Sequence, residues 1–266
     1  MNSDKRPEMA ISEAELSSMT AELDMLHKET FPSVKTSLAE FSENLSHLRT
    51  GRSTARRSFL LGAGGLAVVG GVAACSSSGK PAASTKTSGS GSGSAGGSQY
   101  TGDLKVVALA AALENLGVAA YGMALTAAGK GTYGTVPPAI ATFVETAMAQ
   151  HKDHAAAWNA VLTSAKLKPV TTPALSITSA EVAKLNAAKS IPDVAMVALG
   201  LENAAAETYT FAIANVSDAG GIMTAATIQP VEAMHAAILS FVLGQYPVPA
   251  SFIGTSMAVQ PSALTA

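Results

Sequence analysis

Glu232 and His235 stand three residues apart, and residues three apart on an α-helix share a face. A carboxylate and a neutral imidazole on one face can grip the same metal ion, one through oxygen and one through nitrogen. Alone, Glu-x-x-His is a common chance pattern. Here it has company. His151 and His154 repeat the spacing, and Glu114 and Glu202 each sit in a Leu-Glu-Asn triplet inside an Ala-rich apolar run. The order along the chain is Glu, pair, Glu, pair. That is the layout of an all-α four-helix bundle whose interior holds two metal ions. The candidate ligands are Glu114, His151, His154, Glu202, Glu232 and His235.

Four helices must position these groups. The apolar run from Leu104 to Ala128 predicts the first, with Leu113, Gly117, Tyr121 and Leu125 drifting along one face beside Glu114. Gly129-Lys-Gly131 breaks it. Pro137-Pro138 suits the first turn of a second helix, reaching about Ala165. Thr178-Ser-Ala-Glu181 has the form of a capping box and opens a short connecting helix to about Lys189. Pro192 and Asp193 begin a third helix, to about Val216. Asp218-Ala-Gly-Gly221 reads as the turn into a fourth, near Ile222 to Leu243, with Pro230 expected to kink it before Glu232. The tail after Gln245 carries Pro247, Pro249 and Pro261, so it cannot be one long helix and is expected to wrap the bundle.

The two halves repeat. Leu113-Glu-Asn with Tyr121 matches Leu201-Glu-Asn with Tyr209 at an offset of 88, and His151-x-x-His154-Ala-Ala matches Glu232-x-x-His235-Ala-Ala at an offset of 81. Two helical hairpins facing each other give a pseudo-two-fold bundle with its ligands at the centre. The chain after Cys75 holds three histidines, and all three fall in the two pairs. The bland alternative puts His151 and His154 on an outer face with Lys152 and Asp153, solvated and idle. Glu145, six residues before His151, is rotated by about 240° and is no ligand. Glu207 reads as a surface or supporting residue, and Trp158 as packing. Tyr121 and Tyr209, two turns past the bundle glutamates, read as core residues with bonded hydroxyls.

Ahead of this domain the chain changes character. Residues 1–52 form an amphipathic extension, with apolar positions at Leu16, Met19, Leu23 and Leu26 and, after Pro32, at Val34, Leu38, Phe41, Leu45 and Leu48. The expectation is a solvated, marginal helix pair without a core of its own; a docking face for a cytoplasmic partner is the alternative. A start codon placed too far upstream would also produce such an extension.

Residues 53–75 resemble a twin-arginine export signal ending in a lipobox. Arg56-Arg57 precedes an apolar, Gly-rich run, Phe59 to Ala74, which ends in Val72-Ala-Ala-Cys75. That resemblance implies the twin-arginine translocase as a partner during export, and a lipid on the Cys75 sulfur holding the protein to the outer face of the cytoplasmic membrane. Two acyl chains anchor stably, since each buried CH₂ contributes about 0.8 kcal/mol. Residues 76–102, almost all Ser, Gly, Ala and Thr, read as a flexible tether, residues 103–246 as the bundle and 247–266 as the tail.

The net charge is −2, and no arginine follows Cys75, so the domain has no basic patch for nucleic acid. One cysteine in the chain rules out an intrachain disulfide and a multi-thiolate metal site.

Over about 103–244 the ligand segments resemble the ferritin-like superfamily, and most closely bacterial ferritin-like domain proteins with a twin-arginine leader. The resemblance implies a di-iron or di-manganese centre, in an oxidase, a ferroxidase or a metal buffer; the imidazole of His151 leaves zinc or copper as alternatives. The resemblance carries over to Glu114, His154, Glu202, Glu232 and His235. His151 departs from it, standing where the second helix should offer a glutamate. Two divalent ions bring +4 and three carboxylates −3, so the departure bears on whether one ion or two can bind. A metal-free structural or interaction module of the envelope is the other reading. A soluble storage cage fits poorly with an anchor and tether.

Overall fold

The computed structural model describes residues 11–49 and 98–266. Among the described residues there are six α-helices: α1 (Glu13–Arg49), α2 (Asp103–Gly129), α3 (Pro138–Ser164), α4 (Thr178–Ala187), α5 (Ile191–Asn215) and α6 (Ala219–Val242). A 3₁₀ turn, Pro261–Ala263, lies in the tail. The segments holding Arg56, Arg57, Cys75 and residues 76–97 of the expected tether lie outside the described residues. The end of that stretch is no tether: Tyr100 is buried in the core, and its hydroxyl donates to the Lys168 carbonyl at 2.8 Å.

The expected hairpins are present. α2 packs along α3, α5 packs along α6, and α2 meets α5. Their apolar composition reflects this burial. α2 and α6 are long and apolar enough to cross a membrane, yet much of each is buried within the bundle.

The helix ends follow local chemistry, with two departures from the sequence reading. Ser190 caps α5, its hydroxyl accepting from the Asp193 amide at 3.3 Å. Thr178 does not cap α4. It lies inside the helix, and its hydroxyl donates to the Pro173 carbonyl. Asp218 caps α6, accepting from the amides of Gly220 and Gly221. The two glycines expected to form a turn therefore form the first turn of the helix itself. A close approach requires glycine there: a Cβ on Gly220 would stand 2.2 Å from the Ser37 carbonyl oxygen of α1. α6 continues through Pro230 without a break.

That approach reveals the main departure. Residues 13–49 are neither a marginal pair of helices nor a solvated one. They form one helix through Pro32, with a full share in the core. α1 lies against both α3 and α6, which make no comparable contact with each other. It fills the side of the bundle that the two hairpins leave open. The buried stripe is Leu16, Thr20, Leu23, His27, Phe31, Val34, Leu38 and Phe41, at the three-and-four spacing of one helical face. Burying each large apolar side chain stabilises by roughly 1.5–3 kcal/mol. Asn44 adds a 2.8 Å hydrogen bond from its amide to Asp218.

The core has two apolar clusters. Leu16 and Leu23 join Tyr121, Phe143, Ile238 and Leu239 in one. Phe31, Val34, Leu38 and Phe41 join Leu109, Leu116, Trp158 and Ile228 in the other. His27 falls between the two sets of α1 residues.

The tail wraps α5, as its prolines implied. Glu207 accepts from the Met257 amide, Thr208 accepts from the Val259 amide at 2.9 Å, and Leu264 pairs with Leu175.

Candidate metal centre

All six ligand candidates converge in the bundle interior. Glu114 comes from α2, His151 and His154 from α3, Glu202 from α5, and Glu232 and His235 from α6. None is more than 3% exposed. Lys152 and Asp153 are exposed instead, which removes the outer-face alternative for the α3 pair. Glu145 is also exposed.

Two overlapping groups result. Glu114, His151, His154 and Glu232 form one, and His151, Glu202, Glu232 and His235 the other; within each, the donor atoms lie within 4.8 Å of one another. His151 and Glu232 belong to both. The His151 ring spans the centre. Its Nδ1 donates to Glu114 Oε2 at 2.7 Å, and its Nε2 lies 3.1 Å from Glu202 Oε1. His154 Nδ1 donates to Glu232 Oε1 at 3.1 Å.

Room for the imidazole at 151 comes from α2. A Cβ on Gly117 would sit 2.9 Å from the His151 ring. At the offset of 88, the counterpart of Gly117 is Ala205, and the counterpart of His151 is the slimmer Glu232. The glycine accompanies the larger side chain. Beside it a cavity of about 20 Å³ is lined by Gly117, Tyr121, His151 and Glu202, room for one water-sized molecule.

The tyrosines tie the halves together crosswise. Tyr121 of α2 donates to Glu202 Oε1 at 2.5 Å, and Tyr209 of α5 donates to Glu114 Oε1. Trp158 donates to the Tyr209 hydroxyl at 2.9 Å. Each tyrosine thus holds one oxygen of the opposite glutamate and leaves the other aimed at the centre. Burial, then the facing glutamate, pushes both phenols well above their usual range, so they stay protonated donors.

The second group contains atoms that the protein does not satisfy. Glu202 Oε2, Glu232 Oε2 and His235 Nδ1 are buried and have no hydrogen-bond partner. His235 Nδ1 stands 3.5 Å from Glu202 Oε2 and 3.4 Å from Glu232 Oε2. Those pairs attract but do not meet hydrogen-bond geometry. Unpartnered buried polar atoms are rare because each costs about 1–3 kcal/mol. Three of them facing one another, two oxygens and an imidazole nitrogen, form a donor set suited to a divalent transition metal. The residues present fit such an ion.

Both outward-facing Nε2 atoms of the paired histidines are held. His235 donates from Nε2 to Gln150 Oε1 at 2.8 Å, and His154 Nε2 lies 3.2 Å from His27 Nε2 on α1. Sequence reasoning missed His27 and Gln150. The signal for His27 is its place in the apolar stripe of α1, four residues from both Leu23 and Phe31. Leu26 is exposed.

The electrostatics couple these groups. Burial alone would lower His154, but Glu114 and Glu232 outweigh it and raise the imidazole to about 9. His151 and His235 are raised by their carboxylates against the same burial. Glu114 is driven up by burial and down more strongly by His154 and His151, ending at about 2. His27, facing histidines rather than carboxylates, is lowered by burial and then by His154 to about 4, and stays neutral.

The chain of residues 102–245 matches the model of the ferritin-like domain, and the protein belongs to that family. The matched stretch covers α2 to α6 and leaves α1 outside it. No curated protein and no solved structure matches the chain significantly.

The pKa shifts set a pH profile for the metal-free protein. The stabilisation from His154 is complete below pH 6.5 and is lost as pH rises through about 9. That from Glu114 is complete above pH 4.5 and is lost toward about 2. The neutral His27 adds a loss between pH 6.5 and about 4, where the unfolded chain takes up a proton first. The unfolding free energy from urea titration in the presence of chelator should peak near pH 6.5 and fall on both sides, by about 2–3 kcal/mol toward pH 9. A flat profile from pH 4 to 9 would contradict this charge arrangement.

Proposed function

We propose that this protein binds one or two transition-metal ions inside its bundle, the first between Glu202, Glu232 and His235. The observation that carries the reading is the set of three buried, unpartnered donor atoms on those residues. A first ion there breaks no hydrogen bond of the protein. A second, among Glu114, His151, His154 and Glu232, must displace the His151–Glu114 and His154–Glu232 bonds. Binding is therefore stepwise, one ion tight and one weak. The three carboxylates, −3 against +4, work in the same direction. Iron held there would supply one-electron redox chemistry, the basis of an oxidase or ferroxidase; zinc would leave a binding or buffering role. The chain's own residues exclude bulk water, hold both far glutamate oxygens through Tyr121 and Tyr209, and leave a water-sized space beside His151.

A specific observation favours the second reading, a metal-free structural module. Three raised imidazoles and three carboxylates can neutralise one another without an ion. Cobalt titration separates the two. The metal reading expects one tight step, lost in Glu202→Gln combined with His235→Ala. His151→Glu should strengthen the second step by supplying a fourth carboxylate. A wild-type chain that takes up no cobalt at micromolar concentration would establish the metal-free module.

Export and lipid anchoring belong to the same reading and rest on Arg56-Arg57, the apolar run and Cys75. The fold adds a constraint. α1 precedes those motifs and packs on helices that follow them, so one uncleaved crossing by residues 59–74 would put α1 and its partners on opposite sides of the membrane. The α1 contacts belong to the chain before translocation, and cleavage ahead of Cys75 removes α1 from the exported bundle. Mass spectrometry of the envelope fraction should find wild type beginning at an acylated Cys75, and the Cys75→Ser protein uncut with α1 still attached. A Ser variant processed and membrane-bound like wild type would refute the lipobox.

A further inference from the structure

The internal repeat explains why His27 is needed. Gln150 on α3 immediately precedes His151 and accepts the Nε2 proton of His235 on α6. At the offset of 81, the counterpart of His235 is His154 and the counterpart of Gln150 is Val231. Pseudo-symmetry would have residue 231 of α6 hold His154 of α3, and valine has no acceptor. The bond is made from outside the repeat. α1 lies between α3 and α6 and brings His27 Nε2 to 3.2 Å from His154 Nε2. Phe31 stacks on the His27 ring, with centroids 4.9 Å apart and planes 21° apart, and fixes its orientation.

We infer that His27 is a positioning residue of the metal centre: its Nε2 accepts the Nε2 proton of His154 and so aims His154 Nδ1 at the ion. The inference rests on the metal reading. A ligating histidine generally donates its other N–H to an acceptor, which fixes tautomer and ring direction. His154 has this arrangement only through α1. In the uncleaved chain the ferritin-like bundle thus takes part of its site from a helix outside the family's domain, and that helix also closes the open side between α3 and α6.

The test uses the full chain and cobalt(II) alone. His27→Ala should weaken the second binding step about 10–100-fold and leave the first within about twofold. His27→Gln should restore it, because a glutamine oxygen accepts as Gln150 does. Leu23→Ala, one turn away on the same buried face, should leave both steps unchanged. A second step unaltered in His27→Ala, or equally weakened in His27→Gln and Leu23→Ala, overturns the proposal. A metal-independent readout accompanies it. In ¹⁵N NMR of the metal-free chain, His27 should carry its proton on Nδ1, leaving Nε2 as acceptor; a proton on Nε2 overturns the proposal. Failure of wild type to bind any cobalt would instead sink the metal reading, and the tautomer would still decide whether His27 holds His154.

Discussion

Six ionisable side chains are buried together in an apolar bundle, and the rest of the structure answers that constraint. An isolated buried charge is strongly disfavoured. Here three carboxylates and three imidazoles face one another, and each imidazole has a carboxylate oxygen within 3.4 Å. The arrangement works only if the backbones hold the groups in register. Two hairpins built on the same pattern do so, each offering a glutamate from its first helix and a pair from its second. Where the protein's own atoms fall short, at Glu202, Glu232 and His235, the shortfall is localised on one side of the centre. That asymmetry is the physical basis for reading the site as a metal centre that fills in order.

The substitution at 151 shows how the repeat has been altered locally. An imidazole in place of a carboxylate removes a negative charge and adds volume. Its two nitrogens reach Glu114 and Glu202, so one ring links both glutamates of the first and third bundle helices. Gly117 supplies the space. The same departure from symmetry recurs one step outward. Val231 cannot match Gln150, and α1 supplies His27. Two exceptions to the repeat therefore lie on the same ligand pair, and a helix outside the repeat compensates for one of them.

Much of this was legible in the chain. The alternation of glutamates and i, i+3 pairs fixes the helix faces, and the offsets of 88 and 81 imply two facing hairpins. The helix end at Gly129 and the start at Pro138 follow from their own chemistry. Long-range packing was not legible. Gly220-Gly221 looks like a turn, and what requires glycine at 220 is the backbone of Ser37 on another helix. Thr178 looked like a cap, yet its hydroxyl finds a carbonyl at Pro173. The largest miss was α1. Its stripe was read through Met19 and Leu26 because a histidine in an apolar row does not count toward a hydrophobic face. Taking Thr20 and His27 as members of the row rotates the stripe onto the observed face, and a buried histidine there points to a polar partner.

The central claim is that the unpartnered atoms of Glu202, Glu232 and His235 are metal ligands. Anomalous difference density from crystals of the full chain, grown with cobalt(II), tests it most directly. The account predicts one strong peak about 2.0–2.2 Å from an oxygen of Glu202, an oxygen of Glu232 and Nδ1 of His235, with a weaker peak or none beside Glu114 and His154. Density at the protein surface alone, with the buried imidazoles and carboxylates still paired as they are here, would contradict it.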